Sequence, residues 1–153
     1  MHSKYKNRGC AVGVMVLLSI VGFFFMALIL ITLDTTYSEK EWLKDYLLTP
    51  NEIRQAPRLT SRYAIRVKAR DGNSPAIEQI TFYGTQDTLK LEQYLVSLGY
   101  YPASKAICCE IWYSPDNKLS AEVRVNSERS VTLTIYDIPA PQDIIEQRRQ
   151  ARP

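Results

Sequence analysis

The sole histidine of this 153-residue chain, His2, stands in a short N-terminal tail, cut off from the other polar residues by an unbroken apolar run. A Ser-His-Asp triad, a Cys-His pair, a histidine general base and a His-containing zinc site all need an imidazole within bonding reach of their other groups. None of these can be built beyond the run. Ser3 and Lys6 have the Ser-x-x-Lys spacing of a lysine-assisted serine nucleophile, again only in the tail, and G-x-x-x-x-G-K and C-x-x-C are absent. Catalysis would have to rest on carboxylates, Lys or Tyr. The expectation is a non-enzymatic chain with no cofactor, no metal and no catalytic set.

Cys108 and Cys109 are the only thiols after the apolar run. Their neighbours, from Ala106 to Tyr113, read as a strand, on which successive side chains point to opposite faces, so the two cannot bond to each other. The parity of Ile107, Cys109 and Ile111 sends Cys109 to the core and Cys108 outward. Two reduced thiols are one reading. An intermolecular disulfide through Cys108 is the other, in an oxidising compartment.

One surface stands out. From Arg62 to Arg70 the chain alternates strictly, with Tyr63, Ile65, Val67 and Ala69 on one side and Arg62, Arg66, Lys68 and Arg70 on the other. The matching face of the next strand, Ile77, Gln79, Thr81 and Tyr83, holds no carboxylate. Arg and Lys on a pleated surface can grip an anionic polymer, lipid headgroups or an acidic protein patch, and Arg pairs bidentately with carboxylate and phosphate. The competing reading is a solvated or edge strand kept soluble by its cations, with Glu122 of a later strand as a neighbour.

The elements that would position these groups follow from periodicity. Ser38 and Glu41 have capping-box spacing before an amphipathic helix to about Leu48, whose face Trp42, Leu43, Tyr46 and Leu47 would lie on lipid headgroups or pack on the domain. Thr49, Pro50 and Glu52 start a second short helix that Pro57 ends. Strands follow at 62–70 and 77–83, then a helix from Thr85 or Asp87 to Gly99 with Leu91, Tyr94, Leu95 and Leu98 inward. Three further strands run over 106–113, 119–126 and 131–138, with Leu119, Ala121, Val123, Val125, Val131, Leu133 and Ile135 inward. The order β-β-α-β-β-β predicts an α+β domain, a five-stranded, mainly antiparallel sheet covered by one helix and open on its polar face.

The apolar run itself, Cys10 to Leu33, carries no charge, and as a helix it would be about 36 Å long against a hydrocarbon core of about 30 Å. It reads as a retained, single-pass transmembrane signal anchor in contact with membrane lipid through residues 10–33. The three tail cations Lys4, Lys6 and Arg8 put the N-terminus in the cytoplasm and the remainder, for a bacterial source, in the periplasm at the inner membrane. The expected divisions are a basic tail at 1–9, the span at 10–33, a membrane-proximal helical connector at 34–58, an α+β domain at 59–138 and a flexible charged tail at 139–153. Nineteen Lys and Arg less those three leave sixteen, against sixteen Asp and Glu. A domain so balanced lacks the basic field of a nucleic-acid binder. The expected partner is another envelope protein or an anionic cell-wall polymer, bound by a small displayed domain; a structural subunit of a membrane assembly is the alternative, ahead of a histidine-independent envelope enzyme.

Overall fold

In a computed structural model, which describes residues 3–32, 34–38, 40–105 and 109–150, the chain divides into the units Met1–Leu33 and Asp34–Pro153. The first holds one helix, α1, Ser3–Thr32. Among the described residues, no helix is long and apolar enough to cross a membrane. This finding overturns the single-pass span and signal anchor, and with them the inner-membrane address and the periplasmic placement of the domain.

The second unit is α+β. Its strands are β1 (Thr35–Tyr37), β2 (Tyr63–Lys68), β3 (Ile77–Tyr83), β4 (Tyr101–Lys105), β5 (Cys109–Tyr113), β6 (Ser120–Asn126) and β7 (Ser130–Tyr136). They form one seven-stranded antiparallel sheet in the order β1-β2-β3-β7-β6-β5-β4. The helices are α2 (Trp42–Leu48), α3 (Asn51–Arg54), α4 (Leu89–Ser97) and α5 (Gln142–Gln150). Cross-strand register lines up Tyr37, Ile65, Ile80, Leu133 and Val123 in one row, all buried together with Leu91 and Leu95 of α4. Burying each such aliphatic side chain contributes about 1.5–3 kcal/mol. The period-2 and period-3.6 patterns thus meet in a single core.

The sheet has seven strands where five were expected. β1 is too short for alternation to reveal. Pro102 argues against a strand in sequence, yet β4 tolerates it because the strand lies at the sheet edge and is bulged between Pro102 and Ser104. Segment 34–58, read as a connector, therefore supplies an edge strand. The face assignment of β5 is also inverted. Trp112 opposes Ala121 on the core side, while Cys109 opposes Arg124 on the open face and is half-buried. Cys108 lies outside the described residues. At the C-terminus, α5 takes up much of the stretch expected to be flexible, with the Arg148 guanidinium 3.9 Å from the Tyr101 ring centroid.

The turn after α4 depends on Gly99, whose φ of +81° falls in the left-handed region, and on bonds from the Gly99 and Tyr100 amides to the Val96 and Leu95 carbonyls. A Cβ there would make only ordinary van der Waals contact with Pro115 Cγ, at 3.5 Å, so the cost of adding one lies in the backbone. Gly99→Ala is therefore expected to cost about 1–2 kcal/mol. The urea midpoint should fall with an unchanged m-value; an unchanged midpoint would refute the requirement.

Candidate functional site

A short helix is stable only when something holds its ends, and α2 is held unusually firmly. Arg54 of α3 directs Nη2 at three carbonyls, Asp45 at 3.2 Å, Tyr46 at 2.9 Å and Thr49 at 2.9 Å. A cation at a helix C-terminus satisfies the last carbonyls and complements the dipole. Thr49 Oγ1 donates to Asp45 Oδ1 at 2.7 Å and accepts from the buried Tyr37 hydroxyl at 2.9 Å, which ties the helix to β1. Burial pushes the Tyr37 phenol above its ordinary range, and the Asp45 charge adds to this against the lowering effect of the Thr49 bond. At the other end no side chain caps the helix; Glu41 instead pairs with Lys44 at 2.5 Å. The helix begins after Glu41, so Ser38 is not its N-cap as expected, although the Glu41 carboxylate keeps a bond to the Ser38 backbone.

The side that α2 turns outward is apolar. Trp42 is 71 % exposed, Leu43 52 %, Tyr46 71 % and Leu47 56 %, and no α2 residue is buried. On a helical wheel these four share one arc, opposite the half-buried Asp45 and Leu48, of which Leu48 packs against the core. Of the two fates open to this face in the sequence, packing on the domain is not the one adopted. The signal was legible as two adjacent apolar pairs four residues apart; only the direction was not.

α3 is anchored by Ile53, fully buried, and by Ala56 just beyond it. Tyr94 of α4 donates its hydroxyl to the Glu52 carbonyl at 2.6 Å. Where α3 meets β3, a cavity of about 100 Å³ is lined by Glu52, Ala76, Glu78, Leu119, Ile135 and Asp137. Glu78 occupies a core-side position, opposite Val67 and Ile135. Burial, followed by the charges of Glu52 and Asp137, raises its pKa to about 7. The space is smaller than the roughly 300–1,000 Å³ of small-molecule pockets. Among the described residues no cluster of His, Cys, Asp and Glu is arranged to hold a metal ion.

The four cations singled out in sequence lie along the open side of β2 and the chain flanking it, and half of their charge is neutralised from elsewhere. Arg66 grips Asp34 bidentately, at 2.6 and 2.9 Å. That bond, with the charges of Arg66 and Lys68, holds the Asp34 carboxyl below its usual range. Arg70 pairs with Asp137 Oδ2 at 2.7 Å. Glu122, the neighbour foreseen in sequence, bonds Arg124 at 2.7 Å and accepts from the Tyr136 hydroxyl at 3.2 Å. Among the described residues Arg62 and Lys68 take part in no ion pair. Behind them the open face is a lattice of hydroxyls and amides, with Gln79, Thr81, Thr132, Asn126 and Ser130 bonded in sequence at 3.0–3.3 Å. No family model, curated protein or solved structure matches the chain.

Proposed function

We propose that the second unit is a non-enzymatic interaction domain that docks, through the exposed face of α2, into an apolar groove on a partner protein. The observation that carries this reading is an aromatic and aliphatic face held rigid by Arg54 and Thr49 yet left uncovered. Trp and Tyr dominate binding energy at interfaces, and two apolar pairs four residues apart are the anchors of a helix laid in a groove. The charged side chains of α2 are engaged internally, Lys44 with Glu41 and Asp45 with Thr49. This favours an apolar groove over a charged polymer. A transient binding module and a permanent assembly subunit would use the same face and differ in whether the complex survives dilution.

A photo-crosslinker at Leu47 in the full chain should trap one partner. Trp42→Ala should then weaken the affinity for that purified partner at least tenfold, because buried interface aromatics cost about 2 kcal/mol or more when truncated. Circular dichroism should show an unchanged fold, since Trp42 is exposed and stands outside the core cluster. Unchanged affinity in both Trp42→Ala and Tyr46→Ala would refute the docking face. A second reading, contact with an acidic protein patch through Arg62 and Lys68, is favoured only by the lack of ion pairs at those two. Arg62→Ala with Lys68→Ala would then lower the affinity and its salt dependence, with α2 uninvolved.

A further inference from the structure

We propose that Glu78, with Glu52 across the same cavity, forms a pH-governed latch beneath the docking face, closed while Glu78 holds a proton and loosened when it ionises. The inference rests on α2 being that face and adds how its presentation is regulated. α2 and α3 form one bracket: Arg54 of α3 clamps the end of α2, and α3 rests on β3 beside the cavity that Glu52 and Glu78 line. The groups facing Glu78 are Glu52 from α3, Asp137 beyond β7, and at longer range the phenols of Tyr100 and Tyr37. None is a cation. Of the nearby basic groups, Arg54 bonds the carbonyls that end α2, Arg58 bonds the Ile53 and Ala56 carbonyls, and Arg70 is engaged with Asp137 at 2.7 Å on the exposed side. Two like charges across a small, partly dry space repel, and the element free to move is a one-turn helix rather than a central strand.

The sign follows from linkage. Glu78 binds its proton more tightly with the bracket seated than with it open, where the carboxyl loses the Glu52 charge and the cover of α3 and falls back towards its ordinary value near 4.5. The proton therefore contributes fully to closure below about pH 4.5, and that contribution is lost as the pH rises towards about 7. Ile53 and the Tyr94 bond to the Glu52 carbonyl remain, so the bracket loosens without the domain unfolding.

Hydrogen exchange on the full chain at pH 5 and pH 8, corrected for intrinsic rates, tests this at the Thr49, Arg54 and Gln55 amides, each bonded to a carbonyl four residues back. Their protection should fall about tenfold at pH 8 while the amides of β6 and β7 hold. Glu78→Gln, which keeps shape without charge, should abolish the fall, and Glu52→Gln should reduce it. Equal protection at both pH values, an equal loss in β6 and β7, or a fall that persists in both variants would overturn the latch. Trp42→Ala should leave the exchange pattern untouched. A flat profile with partner capture intact thus removes the latch alone, whereas capture indifferent to Trp42→Ala removes the docking face and leaves the exchange result standing.

Discussion

Phe82→Ala should lower the stability of the second unit by about 3–5 kcal/mol, the largest single-residue effect expected here. Phe82 is fully buried on β3, in register with Tyr63 on one side and Val131 on the other, with its ring 5.9 Å from that of Tyr63. Truncation removes the transfer free energy of the ring and leaves a void that β3, paired along its length on both sides, cannot close by shifting. Against a total of about 5–15 kcal/mol for an ordinary domain, this is a third or more of the margin. Thermal unfolding should drop by about 10–20 °C. Val96→Ala, at a site 59 % exposed, should move it little. A fall of under about 1 kcal/mol for Phe82→Ala would mean that the β2-β3-β7 core is not assembled as described.

Ile53→Ala should cost about 2–4 kcal/mol, distributed differently. Ile53 is the one fully buried residue of α3, and its loss weakens the attachment of the bracket rather than the sheet. Hydrogen exchange should show the Thr49, Arg54 and Gln55 amides losing protection before those of β6 and β7, as expected of a subglobal opening. A uniform loss would show that α2 and α3 open only with the whole domain, and the regulatory role of the Glu52 and Glu78 pair would go with it.

Much of the fold was legible because the physics that makes it is local. The alternation from Tyr63 to Val67 places the right residues inward on β2, Leu91 and Leu95 are the core stripe of α4, and Val131, Leu133 and Ile135 point inward on β7. Each is a repeat in hydrophobicity with the period of its element. β5 failed because both of its faces are partly covered. Ile111 and Tyr113 are half-buried on the side away from Trp112, so parity in apolar residues no longer distinguished inside from outside. Arg66 and Arg70 were placed on the correct face, but their partners Asp34 and Asp137 are 32 and 67 residues away, beyond any local pattern.

Composition and spacing by themselves determined the α+β class, the inward faces of most strands, the absence of any histidine chemistry in the second unit and the grouping of Trp42, Leu43, Tyr46 and Leu47. These depend on side-chain chemistry and on backbone periods set by sterics. Tertiary structure decided the seven-stranded order, the neutralisation of Arg66 and Arg70, the convergence of Glu52 and Glu78 on one cavity, and the outward turn of the aromatic face. Each of these depends on segments distant in the chain. Which way an amphipathic helix faces depends on where its flanks are tied down, and for α2 those ties run through Tyr37 and Arg54.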